Sequence, residues 1–154
     1  MALVLRGYWR SSSSWRVRIA LHWKGLSYEN VPVHLVADGG HQHREEHRAL
    51  NPMREVPVLL VDGQPLAQSI AIIEYLEEVH PEPALLPSAP LVRARVRQMA
   101  EIINSGIQPI QNLRVMQRLG REFDQPRAAQ MAWSKGWIES GFEALHPLIE
   151  RHGG

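Results

Sequence analysis

The first eighty residues switch repeatedly between two hydrophobic periods. Leu3-Val-Leu5 is a short apolar run stopped by Gly7, which predicts a strand. Trp15, Val17, Ile19-Ala-Leu21 and Trp23 form an apolar-rich segment and predict a helix. It stops at Lys24-Gly25, where a basic last turn meets a glycine in the C′ position. Tyr28 to Leu35 alternates, with Val31, Val33 and Leu35 on one side, and predicts a second strand. His41 to Leu50 is polar and predicts a helix. Val56-Pro-Val-Leu-Leu-Val61 is a third strand, and Asp62-Gly63 makes a tight turn into a fourth at Leu66-Ala67. Ser69 is placed to cap a helix carrying Ile70, Ile73, Leu76 and Glu77 at the 3.6-residue period.

The pattern breaks at His80-Pro-Glu-Pro-Ala-Leu-Leu-Pro-Ser-Ala-Pro90. Its four prolines end the preceding helix and predict a stiff connection over 81–91. Beyond it only helical periods remain. Val92 to Leu119 carries Val96, Met99, Ile102, Ile103, Ile107 and Ile110 on one side, with a kink expected at Pro109 beside Ser105-Gly106. Gln125 to Arg151 is a second long helix. The order β-α-β-α-β-β-α over residues 1–80, with parallel pairing followed by an antiparallel hairpin, predicts an α/β thioredoxin-like domain. Residues 92–154 predict an all-α domain.

Composition narrows the chemistry. The 154 residues contain no cysteine, which excludes disulfides, thiolate metal sites and a protein-thiol nucleophile. A net charge of +1 argues against a nucleic-acid partner. No apolar run is long enough to span a membrane, and the Met1-Ala-Leu-Val-Leu-Arg6 start is not that of a signal peptide. The cytoplasm is the expected location.

Arg10-Ser-Ser-Ser-Ser-Trp15-Arg-Val-Arg lies where the first strand gives way to the first helix. Read plainly, it is a polar loop whose last serine caps the helix. Read chemically, hydroxyls beside the free N–H groups of a helix start suit an anion, and a thiolate held there would have its pKa lowered. No Gly-x-Ser-x-Gly elbow is present to support a serine hydrolase. His41, His43 and His47 lie close together, the last two four apart on the expected helix. Without an evident acidic partner they predict a solvated face and no metal.

Ser11-Ser-Ser-Ser-Trp-Arg-Val-Arg-Ile-Ala-Leu21, Lys24-Gly-Leu-Ser-Tyr-Glu29, Leu50-Asn-Pro-Met53, Val56-Pro57 and Gln68-Ser-Ile-Ala-Ile-Ile-Glu-Tyr-Leu-Glu-Glu78 resemble the zeta class of glutathione transferases. Leu85-Leu-Pro87 and Ile107-Gln-Pro-Ile-Gln-Asn-Leu113 extend the resemblance into the helical half. That class includes the maleylacetoacetate and maleylpyruvate isomerases of aromatic amino-acid and aromatic-acid catabolism. The resemblance implies glutathione as cofactor, with a thiolate that adds to a cis double bond, allows rotation, and is eliminated. Ser11 matches the serine that stabilises the thiolate, with Ser12 and Ser13 beside it in the catalytic motif. Ser13 falls where the class often carries a cysteine, so a redox or covalent role of that thiol is absent. Gln42, after the Gly39-Gly40 turn, would reach the glycine carboxylate of glutathione. Val56, before an expected cis Pro57, would pair with its cysteinyl backbone. Gln68 and Ser69 would hold its γ-glutamyl end, and Gln108 and Asn112 would border the site.

The substrates implied are small dianions, and Arg10 and Arg114 resemble the arginines that hold their carboxylates. The class implies a homodimer as well. The chain is short for it, so the helical domain is expected to be truncated. Two alternatives stay open: a general transferase acting on α-halo acids or other electrophiles, and a non-catalytic binding protein.

Overall fold

The computed structural model describes residues 1–152 and divides into two compact units, Met1–Leu85 and Leu86–Gly154. In the first, strands β1 (Leu3–Gly7), β2 (Glu29–Pro32), β3 (Val58–Val61) and β4 (Gln64–Ala67) form one sheet in the order β2-β1-β3-β4. β1 and β2 run parallel, while β1–β3 and β3–β4 are antiparallel. Helices α1 (Ser12–Trp23), α2 (Glu45–Leu50) and α3 (Ser69–Val79) complete the β-α-β-α-β-β-α order. This is the thioredoxin-like arrangement expected from the alternation of periods.

β1 buries Leu3, Leu5 and Gly7 and leaves Val4 and Arg6 half-buried, the period of two that a sheet requires. Leu3, Leu5 and Leu59 of the sheet pack with Val17, Ala20 and Leu21 of α1 and Ile72 and Leu76 of α3. Burying each of the larger side chains is worth roughly 1.5–3 kcal/mol. The end of α1 follows the expected C′ glycine. Gly25 takes φ 64, its N–H donates to the His22 carbonyl at 3.0 Å, and the Leu26 N–H reaches Leu21 at 2.9 Å.

The polar stretch expected as one helix from His41 to Leu50 is broken. His41–His43 is a single tight turn, Arg44 is extended (φ −65, ψ 146), and α2 begins only at Glu45. Ser69 is likewise not a cap. The residue outside α3 is Gln68, at φ 71 and ψ 114, and Ser69 opens the helix.

Lys24 was expected only as a basic last-turn residue, and the fold gives it more. Its side chain is wholly buried, with Nζ 2.6 Å from Glu77 Oε2, 2.5 Å from the His80 carbonyl and 3.2 Å from that of Pro83. All three ammonium donors are thereby matched. Glu77 in turn accepts from the Leu85 N–H at 3.1 and 3.0 Å, and Trp23 Nε1 donates to the Ala84 carbonyl at 3.3 Å. The first part of the proline-rich stretch is thus bound to the ends of α1 and α3.

The second unit contains α4 (Pro90–Glu101), a wide π-type turn (Ile102–Ile107), α5 (Gln108–Gln111), α6 (Leu113–Glu122) and α7 (Arg127–His152). The expected kink in a single helix is instead an interruption. Pro109 sits in the first turn of α5, where its missing N–H costs nothing, and the chain breaks at Asn112 (φ −70, ψ 168). Trp133 Nε1 donates to the Ile110 carbonyl at 3.0 Å, and Ser134 Oγ donates to Gln111 Oε1 at 3.1 Å, which pins α7 to α5. Ile107 and Leu145 are buried, whereas Met131, Phe142 and Ile149 on α7 remain about half exposed.

Candidate functional site

The pairing register places the expected residues of the first unit at one end of the sheet. Gly7 ends β1 beside Pro32 of β2, Arg6 faces Val58 at the start of β3, and Val58 faces Ala67 at the end of β4. The chain therefore leaves β1 toward Ser11, leaves β2 toward Gln42, enters β3 from Val56, and leaves β4 toward Gln68 and Ser69, all at this end. The Val56–Pro57 bond is cis, as expected.

Ser11 caps α1. Its Oγ accepts from the Ser14 N–H at 3.1 Å, so the first serine of the run and not the last is the cap. A hydroxyl has one proton and two lone pairs, so an oxygen engaged this way still has a proton to donate to an anion. Ser12 and Ser13 occupy the first turn of α1, Ser12 exposed and Ser13 half-buried. Ser14 is fully buried, and its Oγ accepts from the Tyr8 N–H at 3.3 Å, which holds the β1–α1 loop against the helix start. Its role was not read from the sequence, where four identical residues give no sign of which one turns inward.

Ser69, 4% exposed, lies in the first turn of α3, and its Oγ accepts from Arg16 Nη1 at 3.2 Å. Gln68 beside it is exposed and has positive φ, a conformation rare outside glycine that clusters at ligand-binding positions. A helix N-terminus, a buried hydroxyl and a guanidinium are groups of the kind that suit a carboxylate.

Gln42 is buried and folded inward. Its Nε2 donates to the Leu35 carbonyl at 3.2 Å and lies 3.1 Å from His43 Nε2, while Oε1 is buried with no partner. Gly40 (φ 96) covers it, and a Cβ there would fall 2.5 Å from Gln42 Nε2. The amide nitrogen has two N–H groups, and the Leu35 carbonyl takes one of them. The same loop is braced by His34 Nδ1, which accepts from the N–H groups of Ala37 (2.8 Å) and Val36 (3.3 Å). His41 Nε2 lies 3.1 Å from Asp38 Oδ2, and that hydrogen bond, with the charge of His41, holds the Asp38 carboxyl below its usual pKa.

The helical spacing imagined for His43 and His47 does not exist, because extended Arg44 separates them. His43 is exposed; His47 is buried with Nε2 2.9 Å from the Glu55 carbonyl, and burial pushes its pKa down. Among the described residues no group of three His, Cys, Asp or Glu side chains could hold a metal ion.

Arg10 is exposed and stacks over the Trp9 ring, 5.6 Å from its centroid. In the second unit, Gln108 opens α5 and Arg114 is exposed in the first turn of α6. Asn112, expected to border a ligand one turn after Gln108, is outside both helices. Its Oδ1 caps α6 by accepting from the Val115 N–H at 3.1 Å.

Residues 10–79 match the family profile described as "Glutathione S-transferase, N-terminal domain". Over 151 residues the chain is 51% identical to the maleylacetoacetate isomerase of Rattus norvegicus, covering 98% of this chain and 67% of the rat protein. This chain belongs to the zeta class of the glutathione S-transferases. As a zeta-class transferase it superimposes on the holo structure of a bacterial maleyl pyruvate isomerase of that class. The TM-score is 0.87 and the identity 45%, over 92% of this chain and 66% of the other. The maleylacetoacetate isomerase of Anaeromyxobacter dehalogenans with bound GSH in its active site is similar too. It gives a TM-score of 0.84 and 46% identity, over 99% of this chain and 70% of that one. The transferase described here thus spans about two thirds of the length of these relatives.

Proposed function

We propose that this zeta-class transferase is a glutathione-dependent isomerase of maleylacetoacetate or maleylpyruvate. The observation that supports it best is the convergence of a helix-capping hydroxyl and a second helix start with a buried hydroxyl at one end of the sheet. These groups fit glutathione: donors for a thiolate on one side and donors for a carboxylate on the other. Bound glutathione supplies a nucleophilic thiolate that adds reversibly to the cis double bond of the substrate, so that rotation and elimination give the trans isomer.

The residues divide the remaining work. Ser11 Oγ, with its cap bond to Ser14 in place, donates its proton to the sulfur and favours the charged form. Ser12 and Ser13 line the same first turn of α1, where the helix dipole adds a favourable field. The Val56 main chain aligns the cysteinyl backbone. Gln68 and Ser69 hold the γ-glutamyl end, and Gln42 takes the glycine carboxylate. Arg10 and Arg114 pair with the carboxylates of the dianionic substrate, while Gln108 and Asn112 border the site. Catalysis is then a matter of an activated nucleophile and of cations that offset negative charge developing on the substrate.

The reading includes a cytoplasmic homodimer. Exposed Trp15, Ile19 and Trp23 on α1, and Met131, Phe142 and Ile149 on α7, give an interface apolar surface to bury. Elution as a monomer at micromolar concentration would contradict the dimer.

The test is turnover of maleylacetoacetate and maleylpyruvate with and without glutathione, alongside the ultraviolet absorbance of the bound thiolate. Ser11→Ala should raise the apparent pKa of the bound thiol and lower turnover at neutral pH. Unchanged activity and an unchanged pH profile would refute the Ser11 assignment. No glutathione-dependent turnover by the wild-type chain would refute the isomerase reading.

A further inference from the structure

We infer that Arg16 is a positioning residue, one that commits the Ser69 hydroxyl to donate into the anion site at the start of α3. The inference rests on the glutathione reading above and assigns a residue that the sequence motif did not single out. Arg16 lies on the second turn of α1 and Ser69 on the first turn of α3, 53 positions apart in the chain. Their bond, Nη1 to Oγ at 3.2 Å, joins the helix that carries Ser11 to the start of the helix that carries Ser69.

The chemistry of the pair fixes its polarity. A guanidinium has donors only and stays charged at any working pH. Its N–H therefore occupies a lone pair of Ser69 Oγ, and the hydroxyl proton must point elsewhere. Ser69 is 4% exposed, so little water competes for the proton aimed away from Arg16. The guanidinium is half-buried, and its charge has the sign that suits a carboxylate at a helix start. The link also bears on the spacing between the Ser11 hydroxyl, which meets the central thiol of the ligand, and Ser69, which meets its γ-glutamyl end. Arg18, two residues on, does none of this. It stacks over the Trp15 ring at 5.8 Å and donates to the Trp9 carbonyl at 3.4 Å.

The experiment is calorimetric titration with glutathione and with S-methylglutathione, whose blocked thiol removes the thiolate contact and keeps the γ-glutamyl end. Arg16→Gln, Arg16→Lys, Ser69→Ala and the Arg16→Gln/Ser69→Ala pair are compared with wild type, each checked for a cooperative thermal transition. Arg16→Gln should raise the Kd of both ligands about tenfold, the size expected when a charge-assisted contact is removed. Arg16→Lys should fall between wild type and Arg16→Gln, because it keeps the charge and loses the fork. In the Ser69→Ala background the same Arg16→Gln change should add less than about threefold, because the two side chains act as one unit. An unchanged Kd in Arg16→Gln, or a full tenfold further loss in the Ser69→Ala background, overturns the inference. If Arg16→Gln does not fold, Arg16→Lys with Ser69→Ala is judged by the same coupling. Failure of the wild type to bind either ligand refutes the glutathione reading itself and the inference with it, whereas binding that ignores Arg16 refutes the inference alone.

Discussion

Replacing Lys24 by methionine keeps most of the side-chain volume and removes the charge. In the native fold the ammonium is fully buried and meets one carboxylate oxygen at 2.6 Å and two main-chain carbonyls at 2.5 and 3.2 Å. Lys24→Met leaves the Glu77 carboxylate, 10% exposed, without its cation, and leaves the His80 and Pro83 carbonyls short of a donor. Breaking a buried pair by removing one partner typically costs about 3–5 kcal/mol. A whole domain is stable by roughly 5–15 kcal/mol, so this one change should consume a large share. In urea, with a slope of about 1–3 kcal/mol/M, the midpoint should fall by about 2 M. The assay is equilibrium unfolding followed by far-UV circular dichroism. The double variant Lys24→Met/Glu77→Leu removes both charges together and should recover much of the loss, as buried pairs exchanged for apolar groups often do. A single-variant cost below about 1 kcal/mol, or a double variant as unstable as the sum of its parts, would refute the reasoning.

Two glycines of α7 should respond oppositely to alanine. A Cβ at Gly141 would overlap the buried Ile107 side chain, so Gly141→Ala should destabilise by about 1–3 kcal/mol despite its better helix propensity. Gly136 has open space around it, so Gly136→Ala should stabilise by up to about 1 kcal/mol; melting temperatures of the two variants check both signs. Buried His47 has a folded-state pKa below its ordinary value of 6.5. The unfolded chain therefore binds the proton first, and stability should fall as pH drops below about 6.5 until the folded-state pKa is passed. His47→Gln should flatten that part of the urea-midpoint profile between pH 5 and 7.5. Equal slopes in both proteins would show that another group is responsible.

What the sequence disclosed depended on the range of the interaction. The apolar run Leu3-Val-Leu5 and the Gly25 stop of α1 are local, and both appear in the structure where the pattern put them. Asn112 shows how a local signal can mislead. Proline is tolerated in the first turn of a helix, so the chain accommodated Pro109 there and broke three residues later, where an asparagine could cap the next helix. Ser69 was expected to cap α3 because serine commonly does. Gln68, at positive φ, took the outer position and left the serine hydroxyl to Arg16. Lys24 and Arg16 were hidden for a different reason. Each finds its partner 53 residues away, and a lysine before a C′ glycine or an arginine on a helix is ordinarily a solvated residue. Their partners follow from the packing of α1 on α3, which no window of sequence contains.

The sheet separates two kinds of work along its length. Ser11, Val56 and Ser69 gather at one end, and the Lys24–Glu77 pair holds the far ends of α1 and α3 together at the other. The chain start is also at that far end, where the Ala2 N–H donates to Asp62 Oδ1 at 2.7 Å and the Asp62–Gly63 turn closes β3 on β4. A fusion partner, a surface tether or an inserted peptide introduced at Met1 or at Asp62–Gly63 would therefore project away from the ligand end. Such attachments give an immobilised or tagged form whose glutathione affinity can be measured without crowding the residues proposed to bind it.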